Sequence, residues 1–287
     1  MSKLIRIGTR ESELALWQAT QVQQLLKQHQ VTSEIIKVKS EGDLNVKTPL
    51  YEMGVQGVFT RSLDAALLNS QVDIAVHSMK DVPTIPAKGI AQAAVLKRGA
   101  VKDLLVYKHS THFLDDKSYA AIIATGSIRR KAQWLHHYPR HSIVNLRGNV
   151  NTRLRKLHEN NWEGAIFAAA GLERINLRPE NSMELDWMLP APAQGAIMIV
   201  CRKEDALIME TCRLLNDEET EICTHAERDF LKTLLGGCST PISAYAFINN
   251  NILHFEGNIL TTDGKEKIEI KKEEEVNLKN EIGKKAA

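Results

Sequence analysis

Apolar residues recur in short runs and one-sided stripes that alternate along most of the chain. A run at 4–8 reads as a strand. Ser12 then caps a helix to about residue 28, with Leu14, Leu16, Trp17, Val22, Leu25 and Leu26 on its apolar side. Residues 35–38 read as a strand, 59–69 as a helix, and 72–76 as an apolar strand ending at His77. Strands near 91–96 and 104–107 lead to a second block. That block holds strand 121–124, helix 127–137, strand 143–146, helix 149–159, strand 165–168 and a short helix from Ala170. Such alternation predicts mainly parallel sheets covered by helices. Pro190-Ala191-Pro192-Ala193-Gln194-Gly195 reads as a linker. The strand after it, 197–200, fits either block, and a return to the first would make a hinged pair. A helix-rich stretch, 205–235, precedes strands near 242–248, 252–260 and 267–270. The last residues, rich in Lys and Glu, read as a solvated helix or a frayed tail.

The 287 residues suffice for two or three domains, and 43% hydrophobic with 25% charged residues is ordinary for a soluble protein. A formal net charge of +2 argues against nucleic acid as the general partner. The start of the chain is too short and too charged for a signal peptide, and no run reaches the length of a membrane helix, so the cytoplasm is expected. Cys201, Cys212, Cys223 and Cys238 show no metal-ligand spacing, so no metal site is expected. The first three read as buried filler.

Charge is unevenly spread. Residues 117–158 contain nine Lys or Arg and no Asp or Glu. Remote carboxylates must cover them, or a ligand with several negative charges must. Ligands of parallel α/β sheets bind beyond the carboxyl ends of strands. Polar clusters fall at five such ends: Gly8-Thr9-Arg10-Glu11-Ser12, His77-Ser78-Met79-Lys80-Asp81-Val82-Pro83, Thr125-Gly126-Ser127-Ile128-Arg129-Arg130, Leu146-Arg147-Gly148-Asn149-Val150-Asn151-Thr152-Arg153 and Ala170-Gly171-Leu172-Glu173-Arg174. Helix starts bind anions, and guanidinium forks match carboxylate or phosphate. No phosphate-binding glycine loop is present, so several carboxylates on one ligand fit better than a nucleotide. Asp81 reads either as a turn residue capping its own backbone or as a carboxylate able to stabilise developing positive charge. Cys238, in Leu234-Leu235-Gly236-Gly237-Cys238-Ser239-Thr240-Pro241, reads either as a structural thiol or as an attachment point or nucleophile.

These clusters, in this order, resemble the porphobilinogen deaminase (hydroxymethylbilane synthase) family of tetrapyrrole (haem) biosynthesis. The likeness runs from Arg6-Ile7-Gly8-Thr9-Arg10 through Leu14-Ala15-Leu16-Trp17-Gln18-Ala19 to the cysteine loop. It implies a transferase that joins four porphobilinogen molecules head to tail with loss of ammonia. Joining starts on a dipyrromethane cofactor held by Cys238 through a thioether, one per chain, and hydrolysis then releases hydroxymethylbilane. It implies Asp81 as the catalytic residue. Lys80, Asp81, Thr125, Ser127, Arg129, Arg130 and Gly171 are expected around the cofactor. Arg10, Ser12, Gln18, Arg147, Arg153, Arg174 and Gln194 are expected around the substrate. The family fold is α/β, with two hinged periplasmic-binding-protein-like (type II) domains and a smaller α+β C-terminal domain. The corresponding boundaries are 1–98 with 196–214, 99–195, and 215–287. A monomer without nucleic-acid or membrane partners is expected. Glu41, Glu52 and Gln56 depart from the cations common in relatives, which puts a lid's part in substrate binding in question.

Two rivals are weighed. A non-catalytic polyanion-binding module of the same hinged architecture explains the arginines but gives Asp81 and Cys238 no task. A nucleic-acid binder would use Trp134 and Tyr138 for stacking, whereas Trp134 is expected in the core.

Overall fold

Side-chain caps start the principal helices. In the computed structural model, which describes residues 4–39, 60–116, 118–236, 240–276 and 280–287, Ser12 Oγ accepts the Ala15 N–H (3.4 Å) before α1 (Glu13–Gln28). The first sheet contains β1 (Ile5–Thr9), β2 (Ser33–Lys37), β3 (Ile74–Ser78), β4 (Ile90–Val95) and, from far along the chain, β10 (Ile197–Arg202). Their order is β2-β1-β3-β10-β4. On one face α1 and α7 (Ala206–Arg213) bury Ala19, Val22, Leu26, Ile208 and Cys212. On the other, α2 (Arg61–Leu68) buries Leu63 and Leu67.

The second sheet contains β5 (Asp103–Tyr107), β6 (Ile122–Ala124), β7 (Ser142–Val144), β8 (Gly164–Ala168) and β9 (Ser182–Glu184), ordered β7-β6-β8-β5-β9. It is covered by α3 (His112–Asp115), α4 (Ile128–His137), α5 (Val150–Glu159) and α6 (Ala169–Glu173). Trp134 of α4 and Leu157 of α5 are fully buried. The expectation of mainly parallel sheets needs correction. Four strands of each sheet run the same way, but β10 and β5 run antiparallel to both of their neighbours, so half of the strand pairings are antiparallel. These two strands occupy equivalent places. Each directly follows a chain crossing from the other sheet, so the sheets are joined by a reciprocal pair of crossovers.

The crossovers lie side by side. Leu96 N–H donates to Ile197 O (3.0 Å) and Gly99 N–H to Gly195 O (3.0 Å). Gly195 has φ +86°, and a Cβ there would stand 2.7 Å from Ala100 O and 2.8 Å from Gly99 O. Only glycine allows the strands to meet this closely.

A third unit packs α8 (Glu218–Thr233) and α9 (Ile282–Ala286) on an antiparallel sheet of β11 (Ile242–Asn249), β12 (Ile252–Leu260) and β13 (Lys267–Glu275). The reading of the end as a solvated helix or frayed tail is corrected. Lys267–Glu275 pairs along its whole length with β12, and Ile282, Gly283 and Ala286 are buried. Glu227 of α8, fully buried, fastens this unit to both crossovers. Its carboxylate accepts two N–H bonds from Arg98 (2.6 and 2.9 Å), and also the Ala193 (2.6 Å) and Ala246 (2.7 Å) N–H groups.

Candidate active site

The clusters read from the sequence gather at the carboxyl ends of parallel strands. Arg10 and Ser12 follow β1, and a single 3-10 turn, Met79–Asp81, follows β3. Ser127 follows β6 and caps α4, accepting the Arg130 N–H (3.4 Å). Asn149 caps α5, accepting the Thr152 N–H (2.9 Å), and α6 carries Gly171 and ends at Arg174. Several helix starts thus present backbone N–H groups and positive dipole ends to one region.

At its centre is a carboxylate that the sequence reading missed. Asp103, the first residue of β5, is completely buried. It accepts from Arg129 Nη2 (2.7 Å), from Arg130 Nε (3.1 Å) and Nη2 (2.7 Å), and from Gln194 Nε2 (2.9 Å). Burial opposes its charge, but the two guanidiniums prevail and hold its pKa far below the usual carboxylate range. Gln194, fully buried on the returning crossover, also donates to Val101 O (2.7 Å) and accepts from Lys80 Nζ (3.2 Å). A hydrogen-bonded chain therefore runs from Lys80, beyond the first sheet, through Gln194 to Asp103 and the arginine pair of the second. Burial, reinforced by Arg130, pushes Lys80 down to about 8, against the attraction of Asp81 and Asp103.

A second set of cations surrounds this chain. Arg153 donates Nε–H to Gly148 O (2.8 Å) and is pushed down to about 10 by burial and by repulsion from Arg130, Arg147 and Arg10, while Asp81 opposes the shift. Arg147 is buried, which lowers its pKa too. His77 is buried with Nε2 lacking a hydrogen-bond partner, and burial with the nearby Arg10 charge pushes it down to about 4. It is a neutral ring beside the cluster. Arg10, Lys80, Arg129, Arg130, Arg147 and Arg153 thus stand within electrostatic reach of one another around the two carboxylates, Asp81 and Asp103. The surplus is positive.

The remaining candidates are placed as follows. Gln18 is buried and donates to Ser78 Oγ (2.8 Å) beside the Asp81 turn. Thr125 is buried and its Oγ1 accepts the Ser127 N–H (3.3 Å). Gly171 faces α1, where an added Cβ would meet only Leu14 Cδ2, at 3.8 Å. Arg174 lies 5.6 Å over the Trp17 ring and donates to Gly195 O (2.6 Å). It borders a cavity of about 280 Å³ with Trp17, Lys97 and Ala170. Gln18, Thr125 and Gln194 are buried, whereas Arg10, Lys80, Asp81, Ser127, Arg153 and Arg174 keep some exposure. Cys238, Glu41, Glu52 and Gln56 lie outside the described residues. Cys201, Cys212 and Cys223 are buried thiols whose pKa burial pushes up to about 11, 12 and 12.

Residues 5–210 match the family model "Porphobilinogen deaminase, dipyromethane cofactor binding domain", and 221–287 match "Porphobilinogen deaminase, C-terminal domain". The chain belongs to the porphobilinogen deaminase family. Among relatives, the porphobilinogen deaminase of Campylobacter hominis is 41% identical over 95% of this chain and 89% of its own. That of Chloroherpeton thalassium is 38% identical over 93% and 86%. The chloroplastic enzyme of Oryza sativa subsp. japonica is 41% identical over 91% and 75%. Among solved structures, a Salmonella typhimurium periplasmic binding protein with high arginine specificity is 15% identical, covering 79% of this chain and 98% of its own, with a TM-score of 0.46.

The residues present fit the family's dipyrromethane. Its carboxylates would add negative charge to a cluster in which cations outnumber carboxylates, and burial lowers the pKa values of Arg129, Arg147 and Arg153. Among the described residues, no group of His, Cys, Asp and Glu is arranged to hold a metal, and no helix is long and apolar enough to cross a membrane.

Proposed function

We propose that this chain is a porphobilinogen deaminase. It joins four porphobilinogen molecules head to tail with loss of ammonia, on a dipyrromethane attached at Cys238, and releases hydroxymethylbilane by hydrolysis. The observation that carries the reading is the Asp81 carboxylate, set on a one-turn connection beside Lys80 and Arg153 in a cation-rich cleft. Loss of ammonia from an aminomethylpyrrole leaves positive charge on the ring system, and Asp81 stabilises that charge while the surrounding cations hold the substrate's carboxylates. When bound, the dipyrromethane supplies the pyrrole carbon that the first substrate unit joins. Lys80, Ser127, Arg129 and Arg130 hold its acidic groups, with Thr125 and Gly171 shaping the adjoining wall. Arg10, Ser12, Arg147, Arg153 and Arg174 orient incoming substrate. Gln18 and Gln194 act through Ser78 and Lys80, to which they are bonded. Hydrogen bonds to charged groups contribute about 1.5–3 kcal/mol each, so each arginine weighs on affinity.

In this reading the chain divides at 1–98 with 196–214, 99–195 and 215–287, in keeping with the return of β10 to the first sheet. The reading extends to a cytoplasmic monomer that takes no nucleic acid. The net charge of +2 supports the last point, and sedimentation tests the monomer.

Intact-protein mass spectrometry is the deciding experiment. The purified chain is expected to exceed its sequence mass by two pyrrole units, and Cys238→Ala is expected to lack them. Asp81→Asn is expected to keep the added mass and lose nearly all turnover. A bare thiol on active enzyme overturns the tether, and normal turnover in Asp81→Asn overturns the catalytic assignment.

A further inference from the structure

Arg228 belongs to α8 of the third unit, yet all its described hydrogen bonds leave that unit. Nη1–H donates to Met79 O (3.2 Å) and Val82 O (2.9 Å), and Nη2–H donates to Pro83 O (2.7 Å). These carbonyls bracket Lys80 and Asp81 on both sides. Burial pushes Arg228 down to about 10, with only Asp229 opposing. Half-burying a guanidinium against neutral carbonyls is costly unless the geometry it enforces is useful.

The turn it grips is anchored on its near side by the buried Met79 and the Lys80–Gln194 bond, and Arg228 holds its far side. Met79–Asp81 is one 3-10 turn, Ser78 provides no side-chain cap, and the Met79 N–H is tied to Ala196 O (3.0 Å). On its far side Pro83 has no N–H to give. Arginine's planar fork can meet three converging carbonyls at once, and a lysine ammonium on a flexible stem cannot reproduce that arrangement.

We infer that Arg228 is a positioning residue for Asp81. It fixes the 79–83 turn against the helix that leads, a few residues on, into the Cys238 loop. The side chain that acts is thereby tied to α8 of the third unit. The inference rests on the assignment of Asp81 as the catalytic carboxylate.

The test uses the full chain carrying its cofactor, with Arg228→Lys, Arg228→Met and Asp81→Asn made in parallel. Turnover is measured per cofactor-loaded molecule, loading being read by intact mass, and kcat and KM are separated. Misplacement of a reacting group by about 1 Å can cost 10²-fold, so kcat in Arg228→Met is expected to fall roughly ten- to hundredfold with KM within about twofold. Arg228→Lys is expected to recover only part of the loss. A residue with a merely structural role would lower thermal stability or loading and leave kcat per loaded molecule unchanged. That result, in either variant, overturns the inference. Full activity in Asp81→Asn is a separate outcome that removes its premise.

Discussion

Asp103 is the carboxylate on which the arginine pair depends, so Asp103→Asn is the most informative perturbation. Its two oxygens receive three N–H bonds from Arg129 and Arg130 and one from Gln194, at zero solvent exposure. Asparagine preserves the volume, but it removes the charge and turns an NH₂ toward donors. Breaking a buried ion pair by removing one partner costs about 3–5 kcal/mol, since the other charge is left uncompensated. Here two guanidiniums are stranded, so the upper part of that range is expected, with a melting midpoint lower by roughly 10 °C. The pKa of Asp103 is depressed, so its contribution is complete above the unfolded value of 3.8 and is lost only at more acid pH. The deficit should therefore be full at neutral pH. Cofactor carboxylates facing the same arginines would replace part of the missing charge. The loss should thus be smaller in cofactor-loaded chain than in a cofactor-free Cys238→Ala background, by at least about 1.5 kcal/mol, the lower end for one charge-assisted hydrogen bond. Thermal and urea unfolding of both backgrounds, with loading read by mass, measures the gap. Equal losses in the two backgrounds, or a loss below about 1 kcal/mol, would refute the reasoning.

Two other expectations concern burial and backbone. His77 is held neutral, with its pKa lowered from 6.5 to about 4. Folding stability should therefore decline as pH falls through that window, by about 3 kcal/mol in all, because the unfolded chain takes up the proton first. In His77→Phe this acid limb should flatten, and unfolding midpoints between pH 7 and 4 check it. At the crossover, Gly195→Ala should cost about 2 kcal/mol or more, combining a left-handed φ with a clash against two backbone oxygens. Gly171→Ala, whose Cβ meets only a leucine methyl at 3.8 Å, should leave the unfolding midpoint nearly unchanged. Loss of activity in that stable variant would mark the space as occupied by ligand.

The sequence made the alternation of strands and helices legible because period and caps are local properties. Direction is not local. Ile197–Arg202 is apolar on both faces and fits either sheet, so its return to the first, antiparallel to both neighbours, could not be read from periodicity. The basic clusters were legible because several arginines recur at strand ends. Asp103 was not, since one acid before Leu104-Leu105-Val106-Tyr107 looks like a strand boundary. Its meaning comes from Arg129 and Arg130, 26 and 27 residues later. Glu227 and Arg228 were hidden for the same reason, inside a charged stretch that reads only as helix-rich. The terminal Lys and Glu residues misled differently. They are polar because β13 is an edge strand, with Lys271 bonded to Glu256 (2.8 Å) and Glu273 to His254 (2.9 Å) across the ladder.

The crossovers explain why one amide can matter to a charged cleft. Arg98 donates to Gln194 O (2.8 Å) and pairs with Glu227, while Arg174 donates to Gly195 O (2.6 Å), so the returning strand is gripped from the first crossover, the second sheet and the third unit together. Gln194 stands on that strand and bonds directly to Lys80 and Asp103. In any rotation of one sheet against the other about the crossovers, residues bonded to the axis are displaced least and those farthest from it most. Lys80 and the Asp103–arginine group therefore form the fixed end of the cleft. Arg10 beyond β1 and Arg147 and Arg153 beyond β7 belong to separate sheets, which are also joined where Asn151 of α5 donates to Glu13 of α1 (2.8 Å), so a rotation about the crossovers has to break or carry that bond.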